Sequence, residues 1–139
     1  MNRDSRLAQP AASAAYVPQT AYDMFAWRVR HDPDSVFIIT PDGTERSYAQ
    51  LAQCARQLAL ALATAGARRG DVVGLHLANE PAWVVALIAC WQLGTVAACC
   101  GSLTPAAEAV RRFELAQARL VLAAGDVDAF GALKAIHVS

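Results

Sequence analysis

Gly70 to Gly94 reads GDVVGLHLANEPAWVVALIACWQLG. A Gly-Asp pair suited to a turn leads into Val72–Leu77, an apolar run of strand length rich in β-formers. Asn79-Glu80-Pro81 stops that run, and Pro81 suits the first turn of a helix, where its missing N–H costs no hydrogen bond. From Ala82 to Leu93 every residue except Gln92 is Ala, Trp, Val, Leu, Ile or Cys. A helix apolar around its whole circumference is buried on more than one side. This one therefore has to lie between a sheet and something else.

The flanks repeat the same grammar. Upstream, Thr20-Ala-Tyr-Asp23 has the form of a helix start, with Thr20 as N-cap and Asp23 reaching back to it, and Asp32-Pro33 stops that helix after about His31. Val36–Thr40, the turn Pro41-Asp42-Gly43 and Thr44–Arg46 make a small hairpin. Ser47-Tyr-Ala-Gln50 is a capping box, and beyond it Tyr48, Leu51, Ala55, Leu58 and Leu62 recur at helical spacing up to a C-cap at Gly66. Downstream, Thr95–Cys100 is a third apolar strand, and Thr104 is an N-cap with Pro105 at the first position of a helix that runs to about Gln117, with Ala106, Ala109, Val110, Phe113 and Ala116 on one face and Glu108 and Arg112 as an i,i+4 pair on the other. Arg119–Ala123 is a fourth strand, Gly125-Asp126 opens a short helical piece to Leu133, and Ala135–Val138 begins another strand. Strand–helix units repeating at this interval imply parallel strands with right-handed crossovers, so the fold class is α/β, a doubly wound, mostly parallel sheet with flanking helices and an N-terminal hairpin. Residues 1–19, made of Ala, Ser, Pro and Gln with scattered charge, read as a flexible leader, and 20–139 as one subdomain.

Composition narrows the function classes. With 12 basic and 12 acidic residues in 139 there is no net charge and no basic patch of the kind a nucleic-acid binder carries. Arg68-Arg69 and Arg111-Arg112 fit a solvated turn and a helix surface. Cys54, Cys90, Cys99 and Cys100 lie in apolar runs without C-x-x-C or Cys/His ligand spacing, so they read as buried reduced thiols, and Cys99 and Cys100 would face opposite sides of a strand. The absence of a disulfide framework, of a signal-peptide core and of an apolar run long enough to span a bilayer points to a soluble cytoplasmic protein.

The order and spacing of these pieces resemble the N-terminal part of the acyl-CoA synthetase and adenylate-forming (AMP-binding) enzyme superfamily, from about Thr20 to the end. Members show a Gly-Asp strand, Leu-Pro-Asn-Ser-Pro-Glu, an apolar helix and a closing Ala-Gly; here the corner is Leu77-Ala78-Asn79-Glu80-Pro81. Ser47-Tyr48-Ala49-Gln50-Leu51 is similar to the Thr/Ser-Tyr-x-x-Leu box of the family, and Thr104-Pro105 to its Thr-Pro helix start, although Cys100-Gly101 stands where members hold Asn-Pro. The resemblance implies two-step chemistry in a full-length parent: a carboxylate attacks ATP to give an acyl-adenylate and pyrophosphate, and a thiol, usually CoA, takes the acyl group. ATP, Mg²⁺ and CoA are the cofactors so implied. The family's phosphate loop, nucleotide segments and catalytic lysine lie downstream of the matched region, so no catalytic, cofactor-binding or metal residue carries over, and the chain alone is expected to be inactive.

The residues themselves agree. G-x-x-x-x-G-K-[ST], G-x-G-x-x-G and G-x-S-x-G are all absent, and the lone lysine, Lys134, has no glycine-rich neighbourhood. His31, His76 and His137 are far apart in sequence, and His76, inside an apolar strand, reads as a satisfied structural histidine. Asn79 and Glu80 fall at the carboxyl end of a parallel strand, where such folds bind ligands, but their simpler role is capping, with Asn79 as N-cap. Two rivals remain: a stand-alone interaction module that keeps only the scaffold and binds a partner subunit through apolar faces, and an unrelated small α/β nucleotide binder. The all-apolar helix with Trp83 and Trp91, together with an open edge at the last strand near Ile136, predicts self-association or docking by remaining segments of a parent. At roughly 25 cal/mol per Å², a few hundred Å² of uncovered apolar surface favours association by several kcal/mol.

Overall fold

The computed structural model describes residues 17–138; nearly all of the leader expected at 1–19 lies outside them. Helix α1 (Ala21–His31) leads into a hairpin of β1 (Val36–Ile39) and β2 (Glu45–Ser47), then α2 (Tyr48–Thr64), β3 (Val72–Leu77), α3 (Pro81–Leu93), β4 (Val96–Gly101), α4 (Ala106–Leu115), β5 (Ala118–Ala123), a 3₁₀ turn at Val127–Phe130, and β6 (Lys134–His137). The four later strands form one parallel sheet in the order β4-β3-β5-β6, while β1 and β2 pair antiparallel apart from it.

Handedness explains which face each helix takes. The step from β3 to β4 runs one way across the sheet, and the steps from β4 to β5 and from β5 to β6 run the other way. With right-handed crossovers, opposite steps put their connections on opposite faces. Accordingly α3 and α2 pack on the face carrying Val73, Leu75, Leu77, Leu120 and Leu122, and α1 lies against these two helices. Helix α4 and the 3₁₀ turn pack Phe113 and Phe130 on the face carrying Cys100, Val121 and Ala123. The sheet is thus covered on both sides, as the doubly wound expectation required.

Both predicted capping boxes form. The Thr20 hydroxyl accepts the Asp23 N–H while the Asp23 carboxylate accepts the Thr20 N–H, both at 3.0 Å. Ser47 and Gln50 exchange the equivalent pair at 3.3 and 2.9 Å. The hairpin is pinned to the helices by an aromatic cluster: Phe37 meets Tyr48 edge-on at 4.7 Å and Phe25 edge-on at 6.0 Å, and the Arg28 guanidinium lies over the Tyr48 ring. Its turn is held by Asp42, whose carboxyl the Thr40 hydroxyl and the Thr44 N–H keep below the ordinary carboxylate range.

The Gly-Asp pair before β3 is a clamp rather than a plain turn. Asp71 accepts the Arg68 N–H at 2.8 Å and faces Arg119 of β5 at 3.5 Å, and the Gly70 N–H donates to the Gly94 carbonyl at 2.9 Å. Gly94 ends α3 in the left-handed region (φ 72°), where a side chain would be strained and would also meet Arg69.

Several local expectations need correction. Glu80, not Asn79, is the N-cap of α3, and its side chain makes no capping bond, because Pro81 follows directly and sets the entry one residue later. Pro105 rather than Thr104 caps α4, also without a side-chain bond, and α4 ends at Leu115, so Ala116 is exposed. Helix α2 is capped by Ala65, with Gly66 one residue beyond. Cys90 and Cys100 are buried, but Cys54 and Cys99 are exposed: Cys54 borders an open hollow beside α2, and Cys99 lies on an edge strand that α3 does not fully cover. Helix α3 is fully buried only at Ala86, Ile88, Ala89 and Cys90, and Trp91 remains 37% exposed, because α1 covers only part of its outer side.

Candidate functional site

The carboxyl ends of β3 and β4 are where ligands bind in open parallel sheets, since the connections leaving them diverge to opposite faces. Here that divergence opens a hollow of about 330 Å³ lined by Leu77, Asn79 and Trp83 on one side and by Gly101, Ser102 and Leu103 on the other. Leu103 is 99% exposed, so the rim is an apolar finger in solvent. The polar groups at the hollow, Asn79 and Ser102, are uncharged, and no cation lines it. The lining thus offers the phosphates of a nucleotide no positioned cation, and among the described residues no group of His, Cys, Asp and Glu could hold a metal ion.

His76 sits at this end of β3 and is committed to structure. Its Nε2 is 2.8 Å from the Thr104 carbonyl, tying β3 to the entry of α4, and its ring meets Phe130 edge-on at 5.3 Å. Pairing of His76 with Ala123, and of Ala123 with His137, puts two of the three histidines in one register row on the same face. Sequence separation hid that row; only strand order reveals it. His31 is elsewhere, stacked on Trp27 at 4.3 Å with Nδ1 2.8 Å from the Trp27 carbonyl. Lys134 Nζ donates to the Ala65 carbonyl at 3.0 Å, so the one lysine of the sequence is engaged at the end of α2.

Further concavities lie among α1, α2 and α3. A hollow of about 560 Å³ between α2 and the start of α3 has Arg46, Gln50 and Glu80 at its polar positions and Leu51, Val85 and Val138 among its apolar ones. Between α1 and α3, Met24, Phe37, Trp83, Leu87 and Trp91 form an apolar groove of about 420 Å³. Periodicity marked α3 as apolar all round but not which residues of α1 and the hairpin would join it. No helix among the described residues is long and apolar enough to cross a membrane.

Comparison with known proteins places the architecture. The family model for "AMP-binding enzyme" matches residues 25–138. The chain is 31% identical over 110 residues to long-chain fatty acid transport protein 2 of Rattus norvegicus, a match covering 78% of this chain and 18% of that protein. Its fold is similar to O-succinylbenzoate coenzyme A synthetase (MenE) from Bacillus subtilis in complex with AMP, with a TM-score of 0.74, 22% identity, and coverage of 81% of this chain and 30% of that one. It is also similar to the N-terminal subdomain of Klebsiella oxytoca NpsA in complex with 3-hydroxybenzoyl-AMSN, with a TM-score of 0.75, 24% identity, and coverage of 84% and 29%. The chain therefore spans less than a third of the length of each of these proteins.

Proposed function

The chain belongs to the AMP-binding enzyme family, and from that membership we propose that it is the N-terminal part of an ATP-dependent acyl- or aryl-CoA ligase-like enzyme of the cytoplasm. The parent would activate a carboxylate as its acyl-adenylate and pass the acyl group to a thiol, using ATP, Mg²⁺ and CoA. The observation that carries this is the family match running from α1 to the end of β6, over the whole sheet and both helical layers.

In that reading the chain supplies scaffold and no reacting group. Its carboxyl-edge hollow is uncharged, and its only lysine is tied to the Ala65 carbonyl. Acyl-adenylate chemistry depends on positioned cations and backbone donors at the phosphates, and residues 1–139 contain no glycine-rich loop ending in Lys to provide them. The purified 139-residue chain should show no carboxylate-dependent ATP–pyrophosphate exchange. Exchange above the level of a heat-treated control would overturn the assignment of inactivity.

A second reading, an interaction module that binds a partner subunit or another copy through apolar faces, is favoured by the groove between α1 and α3, where Met24 and Phe37 are exposed beside Trp91. The coding sequence beyond Ser139 separates the two. Continuation into a Ser/Thr/Gly-rich loop ending in Lys supports the ligase; a native stop supports the module.

A further inference from the structure

We propose that the outer edge of β4 is a self-association surface that receives β4 of a second copy, antiparallel, with Ala97 of one chain opposite Cys99 of the other. The proposal rests on the self-association reading above and locates it on a different element from the tryptophan-bearing helix and the last strand.

The Val96 N–H donates to the Asp71 carbonyl at 2.8 Å, so Val96 faces β3. In a parallel ladder the backbone groups alternate, and Val96, Ala98 and Cys100 therefore spend theirs on β3. Ala97 and Cys99 present N–H and C=O away from the sheet, and among the described residues no strand pairs there. The next carbonyl outward, that of Gly101, is already taken by the Thr104 N–H at 2.9 Å.

Sheet edges are ordinarily blunted by charge, proline, a bulge or brevity. β4 shows none of these: Val96–Gly101 reads VAACCG, and its register with β3 runs from Val72–Val96 to Leu77–Gly101 without a shift. The opposite edge does show them, since β6 has four residues and carries Lys134. Helices do not overhang β4 either, because Val96 is 55% exposed on one face and Cys99 is exposed on the other.

An uncharged edge meets no repulsion from its own copy, and the pattern of free groups is self-complementary. With a two-fold axis at Ala98, Ala97 and Cys99 of each chain exchange both N–H···O=C bonds with Cys99 and Ala97 of the other. The N–H and C=O groups of Ala97 and Cys99 are all used in both chains. Any other register meets the Gly101 carbonyl or leaves free groups unpaired. Small side chains at 97, 98 and 99 let the backbones approach, and the product is a continuous eight-stranded sheet closed by two-fold symmetry.

The test combines sedimentation and amide exchange on the 139-residue protein with two variants, Ala97→Pro, which removes an outward N–H and none of the bonds to β3, and Val96→Lys, which charges the edge without touching the backbone. A concentration-dependent dimer is expected, with Ala97 and Cys99 amides protected in the dimer and exposed on dilution. Either folded variant should raise the dissociation constant by at least about tenfold. A monomer at high micromolar concentration overturns self-association and the β4 assignment together. A dimer that persists in the folded variants, or that leaves the two amides unprotected, overturns the β4 assignment alone. Protection of both amides in a monomer overturns it in favour of a segment of the same chain.

Discussion

Gly74 is the point where the second core is tightest. It lies mid-way along β3 under Phe113 of α4, and a methyl group built on it would stand 2.8 Å from Cδ1, 2.9 Å from Cε1 and 2.9 Å from Cγ of that ring. Comfortable carbon–carbon contact is about 3.5–4.0 Å, so three ring atoms are each too close by roughly 0.6–1.2 Å. The ring is fully buried and packs against Phe130 at 6.4 Å, so it has no open space to swing into. In Gly74→Ala either Phe113 leaves its rotamer or α4 lifts from the sheet. Overpacking of this kind costs about 1–3 kcal/mol, and simultaneous contact with three atoms of a rigid ring argues for the upper half. Lower chain entropy in the unfolded state returns about 0.4–1 kcal/mol. The net expectation is a destabilisation of about 1–2.6 kcal/mol, read from urea unfolding followed by tryptophan fluorescence and far-UV circular dichroism. Phe113→Leu, which shortens the offending ring, should make the double variant less destabilised than the sum of the singles. An unchanged or raised midpoint for Gly74→Ala, or strict additivity with Phe113→Leu, would show that the ring of Phe113 does not crowd this position.

The cysteines offer a second check: in native buffer a thiol reagent should modify the exposed Cys54 and Cys99 quickly and the buried Cys90 only after denaturation, and equal rates for all four would contradict the packing of α3. Burial also pushes the Cys90 thiol up, so above the ordinary thiol value of about 8.5 the unfolded chain gives up a proton that the folded chain keeps. Stability is therefore full below that value and declines as pH rises toward the folded one; Cys90→Ala should flatten the decline, and an identical slope in both proteins would count against it. At the start of α3, Glu80 has extended N-cap geometry (φ −130°, ψ 168°) but no side-chain capping bond, so Glu80→Ser should stabilise the fold by about 0.5–1 kcal/mol in urea titrations, and a loss of stability would show that Glu80 has another role.

The elements and their order are legible in the amino-acid sequence. Capping boxes at Thr20 and Ser47, the hairpin turn at Pro41–Gly43, the β-rich run into Pro81 and the closing Gly94 are all local signals, and each acts through bonds or torsions within a few residues. Alternation of strands and helices then sufficed for a parallel, doubly wound sheet, because connection handedness leaves few other solutions. Where two local signals competed, local reading failed by a residue or so: proline at 81 and at 105 displaced the expected caps, since the side-chain cap of a helix depends on how the chain enters it.

Which edge of the sheet is bare, which cysteines are covered and which groups meet depend on how the elements assemble. Strand order places β4 and β6 at the edges, and that order cannot be read from periodicity, which sees a strand's faces and not its neighbours. The same order puts His76 and His137 in one row, turns the histidine inside β3 into a tie to the Thr104 carbonyl, and sets Gly74 beneath Phe113. The contacts join residues 28 and 39 positions apart, and the row aligns residues 61 positions apart across a shared strand. Their energies depend on distances of a few ångströms that no local pattern encodes, and that is why the scaffold was legible in the chain while the chemistry of its surfaces was not.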